Sequence, residues 1–216
     1  MGFSPDRRVR VRDLFPDGDA RDASLLRLLV ICRQAHVLGR SVHKLSGTQA
    51  PDGQETLHHL LVLFAGSLRE AADAFNDCDS QDLFGFLAWE GAPFADFRRS
   101  FAHVRALVDK KDPTSLYSRL LTPVRNQAAF HINRNAVQEA IAGLGDDTFP
   151  LAAVDESDKL IALPIATAVA TYIAWEKNGA FDNVKVLISD LYSLDEALVA
   201  VSHDLYVLTV RLRLKE

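Results

Sequence analysis

The sequence predicts an all-α protein, an antiparallel helical bundle built around one core. Three observations carry that prediction. Apolar residues recur at steps of three and four over several long segments. Helix starts and stops are marked by capping residues, prolines and glycines at the expected places. Only Arg8 to Arg12 and Val184 to Ile188 read as strands, both short and without an obvious partner. With 216 residues, 48% of them hydrophobic, the chain is long and apolar enough to bury a core without disulfides or metal.

The first helix spans about Asp22 to Lys44, with Leu25, Leu28, Cys32, Ala35, Gly39 and Val42 on one stripe. Gly47 to Gly53, containing Pro51, is a loop. The second helix carries Leu57, Leu61, Phe64, Leu68, Ala71 and Phe75, and the polar run Asn76 to Asp79 marks its end. A short segment from Leu83 to Glu90 closes at Gly91-Ala92-Pro93. Phe94 to Asp109 is a third long helix, and Lys110 and Lys111 suit the negative end of its dipole.

Asp112-Pro113 pairs a cap with proline at the first helical position and opens Thr114 to Leu121. Thr122-Pro123 repeats the signal, so a new helix starts there or the preceding one kinks, and it runs to about Ala142, before Gly143. Asp146 to Asp158 is an acidic loop, and Leu160 to Lys177 is a buried helix broken or started by Pro164. Ser193-Leu194-Asp195-Glu196 is a capping box. It opens a last helix with Leu194, Leu198, Val201, Leu205, Leu208 and Leu212 on one face, broadened by Val199, Tyr206 and Val207. The expected organisation is a single helical domain over 1–216, with additional C-terminal helices and a flexible arm over 1–19.

The formal charge is −5, but it is segregated. Residues 1–45 carry +4, 46–92 carry −7, 93–145 carry +4 and 146–216 carry −6. This lacks the overall basic field of a dedicated duplex-DNA binder, while two stretches retain the charge to meet phosphates locally. Solvated helix faces produce the same arithmetic. The two cysteines, Cys32 and Cys78, sit in apolar helical patterns and read as reduced thiols.

No signal-peptide pattern occurs in Met1 to Asp19, and the sixteen uncharged residues from Leu160 to Trp175 fall short of the ~20 that a span requires. A cytoplasmic protein without a membrane partner is expected. Metal is not expected either. His58 and His59 are adjacent and diverge around a helix, and His36 and His43 flank Arg40 in a cationic neighbourhood poor for zinc. Arg7 to Arg12 reads as an exposed tail, with an RNA-contacting arm as the alternative.

One motif suggests chemistry: Arg125-Asn126-Gln127-Ala128-Ala129-Phe130-His131. Thr122-Pro123 places Arg125 in a first helical turn, where free N–H groups and the dipole favour an anion. Arg125 can fork onto a phosphate, and His131 can move a proton near neutral pH. Six residues put the two about 120° apart around one helix, so one copy makes a poor site and a two-fold pair makes a better one.

This motif resembles that of the HEPN superfamily: an arginine followed by a polar residue, then a histidine after four to six intervening residues, on a late helix of an α-helical bundle. The resemblance covers Arg125 to His131 and the all-α context, with 93–142 as its core. It implies a metal-independent endoribonuclease without cofactor, commonly dimeric, in toxin–antitoxin or phage-defence settings, with RNA as substrate and an antitoxin or other regulatory protein as a further partner. Arg125 would neutralise the scissile phosphate, His131 transfer a proton and Asn126 orient one of them. Arg134 and Arg119 would add phosphate contacts. Asn133 stands where members controlled by tyrosine modification carry the tyrosine, so that form of control is not expected. The competing readings are a non-catalytic HEPN-like module that binds nucleotide, RNA or a protein, and a structural bundle in which Arg125 and His131 make ordinary core or surface contacts.

Overall fold

In a computed structural model the described residues are 10, 14–15, 20–46, 51–84, 92–122, 138–139, 142, 153–154, 160–162 and 184–214. They form an all-α protein. Four long helices dominate: α1 (Ala20–Leu45), α2 (Pro51–Ser80), α3 (Ala92–Leu107) and α4 (Val184–Leu214). A π-helix spans Tyr117–Leu121, and β1 (Ala153–Val154) pairs antiparallel with β2 (Leu160–Ala162).

Side-chain contacts fix the helix directions. Cys78 Sγ reaches the Ser24 carbonyl and Arg27 meets Asp77, while Gly39 lies against Phe64, so α1 and α2 run antiparallel. Asn76 reaches the Val108 carbonyl and Arg105 meets Asp79, which sets α3 antiparallel to α2. His36 meets Asp195 and Gly39 meets Tyr192, which sets α4 antiparallel to α1. α4 packs against both α1 and α3, closing the arrangement.

The expected stripes supply the core. Leu28, Cys32, Ala35 and Val42 of α1 are buried with Phe64, Leu68, Ala71 and Phe75 of α2 and with Leu194, Leu198, Val201, Leu205 and Leu208 of α4. Phe75, Phe84, Phe97 and Phe101 form an aromatic cluster, with Phe84 and Phe101 centroids 4.8 Å apart. Edge and tilted geometries there add to the burial of the rings.

Several expected boundaries change. Pro51 to Gly53 belongs to α2, with proline at the first helical position, instead of to a loop. The run Asn76 to Asp79 falls in the last turn of α2, as expected, with Asn76 donating to the Val108 carbonyl and Asp79 meeting Arg105. The stop comes after Ser80, where Asp82 adopts φ 53° and the Leu83 N–H returns to the Cys78 carbonyl. The expected helix from Thr114 to Leu121 is a turn followed by the π-helix. Asp112 accepts from both the N–H and the hydroxyl of Thr114, and Thr122 N–H closes onto the Tyr117 carbonyl five residues back.

The C-terminal third departs most. Val184 to Ile188 opens α4 instead of forming a strand, so Ser193-Leu194-Asp195-Glu196 lies inside a helix and caps nothing. Asp195 instead reaches across to α1. Tyr206, expected to broaden the seam, is exposed. Leu160 to Ala162 is a strand instead of the start of a buried helix, and Ala153-Val154 within the expected acidic loop is its partner. The tail expected over Arg8 to Arg12 lies outside the described residues apart from Arg10.

Candidate functional site

Thr122 is the last described residue before the Arg125–His131 motif, and a polar network fastens it to α2. Arg69 NH1 donates to Thr122 Oγ1 at 2.9 Å, and Thr122 Oγ1 donates to the Tyr117 carbonyl at 2.8 Å. Arg69 also donates through Nε to Asp73 Oδ2 at 3.0 Å, and its guanidinium lies over the Tyr117 ring, 4.1 Å from the centroid. Tyr117 Oη and Lys110 Nζ both bind Asp73 Oδ1, at 2.6 and 2.8 Å.

Asp73 thus holds three donors from three segments. Its burial raises the carboxyl, but the hydrogen bonds from Lys110 and Tyr117 and the charge of Arg69 reverse this and leave it below the usual carboxylate range. Burial and the bond to Asp73 push the Tyr117 phenol up. Desolvation lowers Lys110, and Asp73 more than offsets it, so the ammonium is raised. The turn feeding this network is locked as well, by Ser115 Oγ donating to the Asp109 carbonyl at 2.7 Å.

Arg125, Asn126, His131 and Arg134 lie outside the described residues. Arg119, the remaining expected phosphate contact, is described. Its NH2 donates to Asp190 Oδ2 at 2.6 Å, so the side chain clasps the start of α4 while remaining 52% exposed.

A second polar constellation lies between α1 and α4. His36 Nδ1 stands 3.0 Å from Asp195 Oδ2, with side-chain exposures of 31% and 5%. An ionised carboxylate only accepts, so His36 donates from Nδ1 and its Nε2 is left for another partner. Asp195 Oδ1 is buried and meets no donor among the described residues. Burial pushes the Asp195 carboxyl up, while the His36 hydrogen bond and charge pull it down, and the net shift is upward. Gly39, one turn beyond His36, permits this approach, since an added Cβ would meet the Phe64 ring at 2.9 Å and Asp195 Oδ2 at 3.4 Å. The Tyr192 hydroxyl donates to the Gly39 carbonyl at 2.9 Å.

Sequence reasoning missed the His36–Asp195 pair because Asp195 sits in a capping pattern and its partner is 159 residues away. The available signal was the spacing of Arg33, His36 and Arg40 on one helical face. Among the described residues no group of three or more His, Cys, Asp or Glu is placed to hold a metal, and no helix is long and apolar enough to cross a membrane. An open groove of about 470 Å³ between α2 and α3 is lined by Asn76, Asp79, Arg105, Asp109 and Lys111, with Arg105 spent on Asp79 at 3.0 Å. No protein-family model, curated protein or solved structure matches the chain.

Proposed function

We propose that the protein is a HEPN-like, metal-independent endoribonuclease acting as a homodimer in the cytoplasm, in a toxin–antitoxin or phage-defence setting. The observation that carries this reading is the motif Arg125-Asn126…His131, which begins three residues after a threonine tied to α2 by Arg69. A site that must hold a phosphate within hydrogen-bond reach gains from a fixed entry point. The all-α body supports the same reading. Arg125 binds the scissile phosphate, Asn126 orients it, and His131 transfers a proton as a ribose 2′-hydroxyl attacks. The P–O2′ bond forms and the P–O5′ bond breaks, giving a 2′,3′-cyclic phosphate and a 5′-hydroxyl.

A non-catalytic HEPN-like module that binds nucleotide, RNA or a protein partner is the second reading; Arg119, one of the expected phosphate contacts of the nuclease, is committed to Asp190 instead. Cleavage of total bacterial RNA in EDTA separates the two, with wild type beside Arg125→Ala and His131→Ala. Cleavage that leaves cyclic-phosphate ends and is lost in both variants supports the nuclease. A folded, dimeric wild type that cleaves nothing supports the binding module. Cleavage retained in both variants removes the motif from the mechanism.

A further inference from the structure

From Ala23 to Pro51 the chain carries no acidic residue, yet α1 contains Arg27, Arg33, His36, Arg40, His43 and Lys44 within that span. Among the described residues, Arg27 is the one arginine or lysine of this stretch that is neutralised, by Asp77 and, at longer range, Glu70. Arg33, Arg40 and Lys44 are exposed and form no ion pair among the described residues. Their steps, together with His36, are three, four and four, so they make one row along the helix away from its buried stripe. At 1.5 Å per residue this row is about 16 Å long. A surface row of like charges with no counter-charge among the described residues destabilises its own helix slightly and favours binding of an external anion.

Within that row His36 differs from its neighbours. Its ring is fixed through Nδ1 by a carboxylate that is itself buried and has one oxygen without a donor. Asp195 is therefore incompletely compensated among the described residues. Such a pair fixes the ring through Nδ1 and orients Nε2. Around His36 stand Cys32, Arg33, Arg40 and His43 on α1 and Tyr192, Asp195 and Glu196 on α4.

We propose that Arg33, His36 and Arg40, with Asp195 as the positioning residue behind His36, form a phosphate-binding row on α1 that takes the backbone of single-stranded RNA. A strand offers one phosphate per nucleotide and so matches successive cations along a helix. The choice of RNA as the strand rests on the function proposed above, whereas the phosphate row rests on the geometry of α1 and α4.

The test uses the full chain and a fluorescein-labelled 2′-O-methyl RNA 12-mer, which lacks the attacking hydroxyl, so binding is read apart from cleavage. Anisotropy should show five- to tenfold weaker binding in Arg33→Ala and in Arg40→Ala. The slope of log affinity against log salt should flatten by about 0.7 for each cation removed. Arg105→Ala, on α3, should bind as wild type. In ¹⁵N-histidine spectra the His36 ring should shift with the 12-mer, and Asp195→Asn should reduce that shift.

Unchanged affinity in both arginine variants overturns the row. A His36 shift with inorganic phosphate that the 12-mer does not exceed at equal phosphate concentration makes the ligand a free anion and overturns the strand. Binding to phosphatidylserine vesicles, lost in Arg33→Ala and Arg40→Ala and without oligonucleotide binding, does the same. A failed EDTA cleavage assay beside intact 12-mer binding removes the nuclease and leaves the row.

Discussion

The Tyr117 hydroxyl donates to Asp73 Oδ1 at 2.6 Å, joining the π-helix to the middle of α2. Tyr117 is buried, and Lys110 occupies the same carboxylate oxygen. Removing the hydroxyl leaves Asp73 with two charged donors, so Tyr117→Phe should cost about 1–2 kcal/mol. Asp73→Asn should cost more, because Lys110 and Arg69 both lose their counter-ion. Urea denaturation with an unchanged m-value is the check; a midpoint equal to wild type in Asp73→Asn would show that the network does not stabilise the fold.

The half-buried Asp73 and the buried Asp195 should give opposite pH signatures. Asp73 is held below the usual range, so the unfolded state binds more protons. Its stabilisation is present above about pH 4 and is lost as pH falls through its folded value. Asp195 is raised, so the folded state binds more protons, and its favourable contribution is present below about pH 4 and lost as pH rises through its folded value. Stability measured from pH 7 to pH 3 should show Asp73→Asn converging on wild type at the acid end. Asp195→Asn should gain on wild type as pH rises. Parallel curves for all three proteins would contradict both assignments.

Gly39→Ala sets two effects against each other. Alanine is better in a helix interior by about 1 kcal/mol. The added Cβ, however, meets the Phe64 ring at 2.9 Å, and that ring is fully buried. Overpacking of this kind costs about 1–3 kcal/mol, so the net change should be destabilising. Thermal melting decides it: a raised Tm would mean that Phe64 yields.

Cys32 and Cys78 should be inert in the native protein. Burial pushes Cys32 up to about 12, aided by the Asp195 charge, and pushes Cys78 up to about 11. The thiolate is the reactive form, so labelling by an aromatic disulfide at pH 8 should await unfolding and accelerate with urea. Rapid labelling of either thiol without denaturant would place it at the surface.

The helical stripes of α1, α2 and α4 were legible because each buries one face against neighbours, and that requirement sets the 3.6-residue period. Leu28, Cys32 and Val42 are buried where their spacing puts them. A local signal failed where a distant group satisfied it first: Asp195 has the spacing of a cap but binds His36. The π-helix was illegible for a related reason, since Tyr117 and Thr122 are held by Asp73 and Arg69 from α2. Of the expected site, the entry at Thr122 and Arg119 is described, and Arg119 meets a carboxylate that sequence spacing does not reveal.

The α1–α4 seam also sets a timetable for synthesis. His36 and Asp195 are 159 residues apart, and Leu28, Cys32 and Ala35 are covered in a core to which α4 contributes Leu191 through Leu208. At roughly 5–20 residues per second, roughly ten to thirty seconds pass between translation of the two partners. During that interval the emerging α1–α2 hairpin presents its unfinished apolar side to whatever is nearby. Chaperone occupancy on nascent chains should therefore persist until α4 has left the ribosome, and a ribosome-stalled chain ending before Val184 should be degraded faster than one carrying the whole helix.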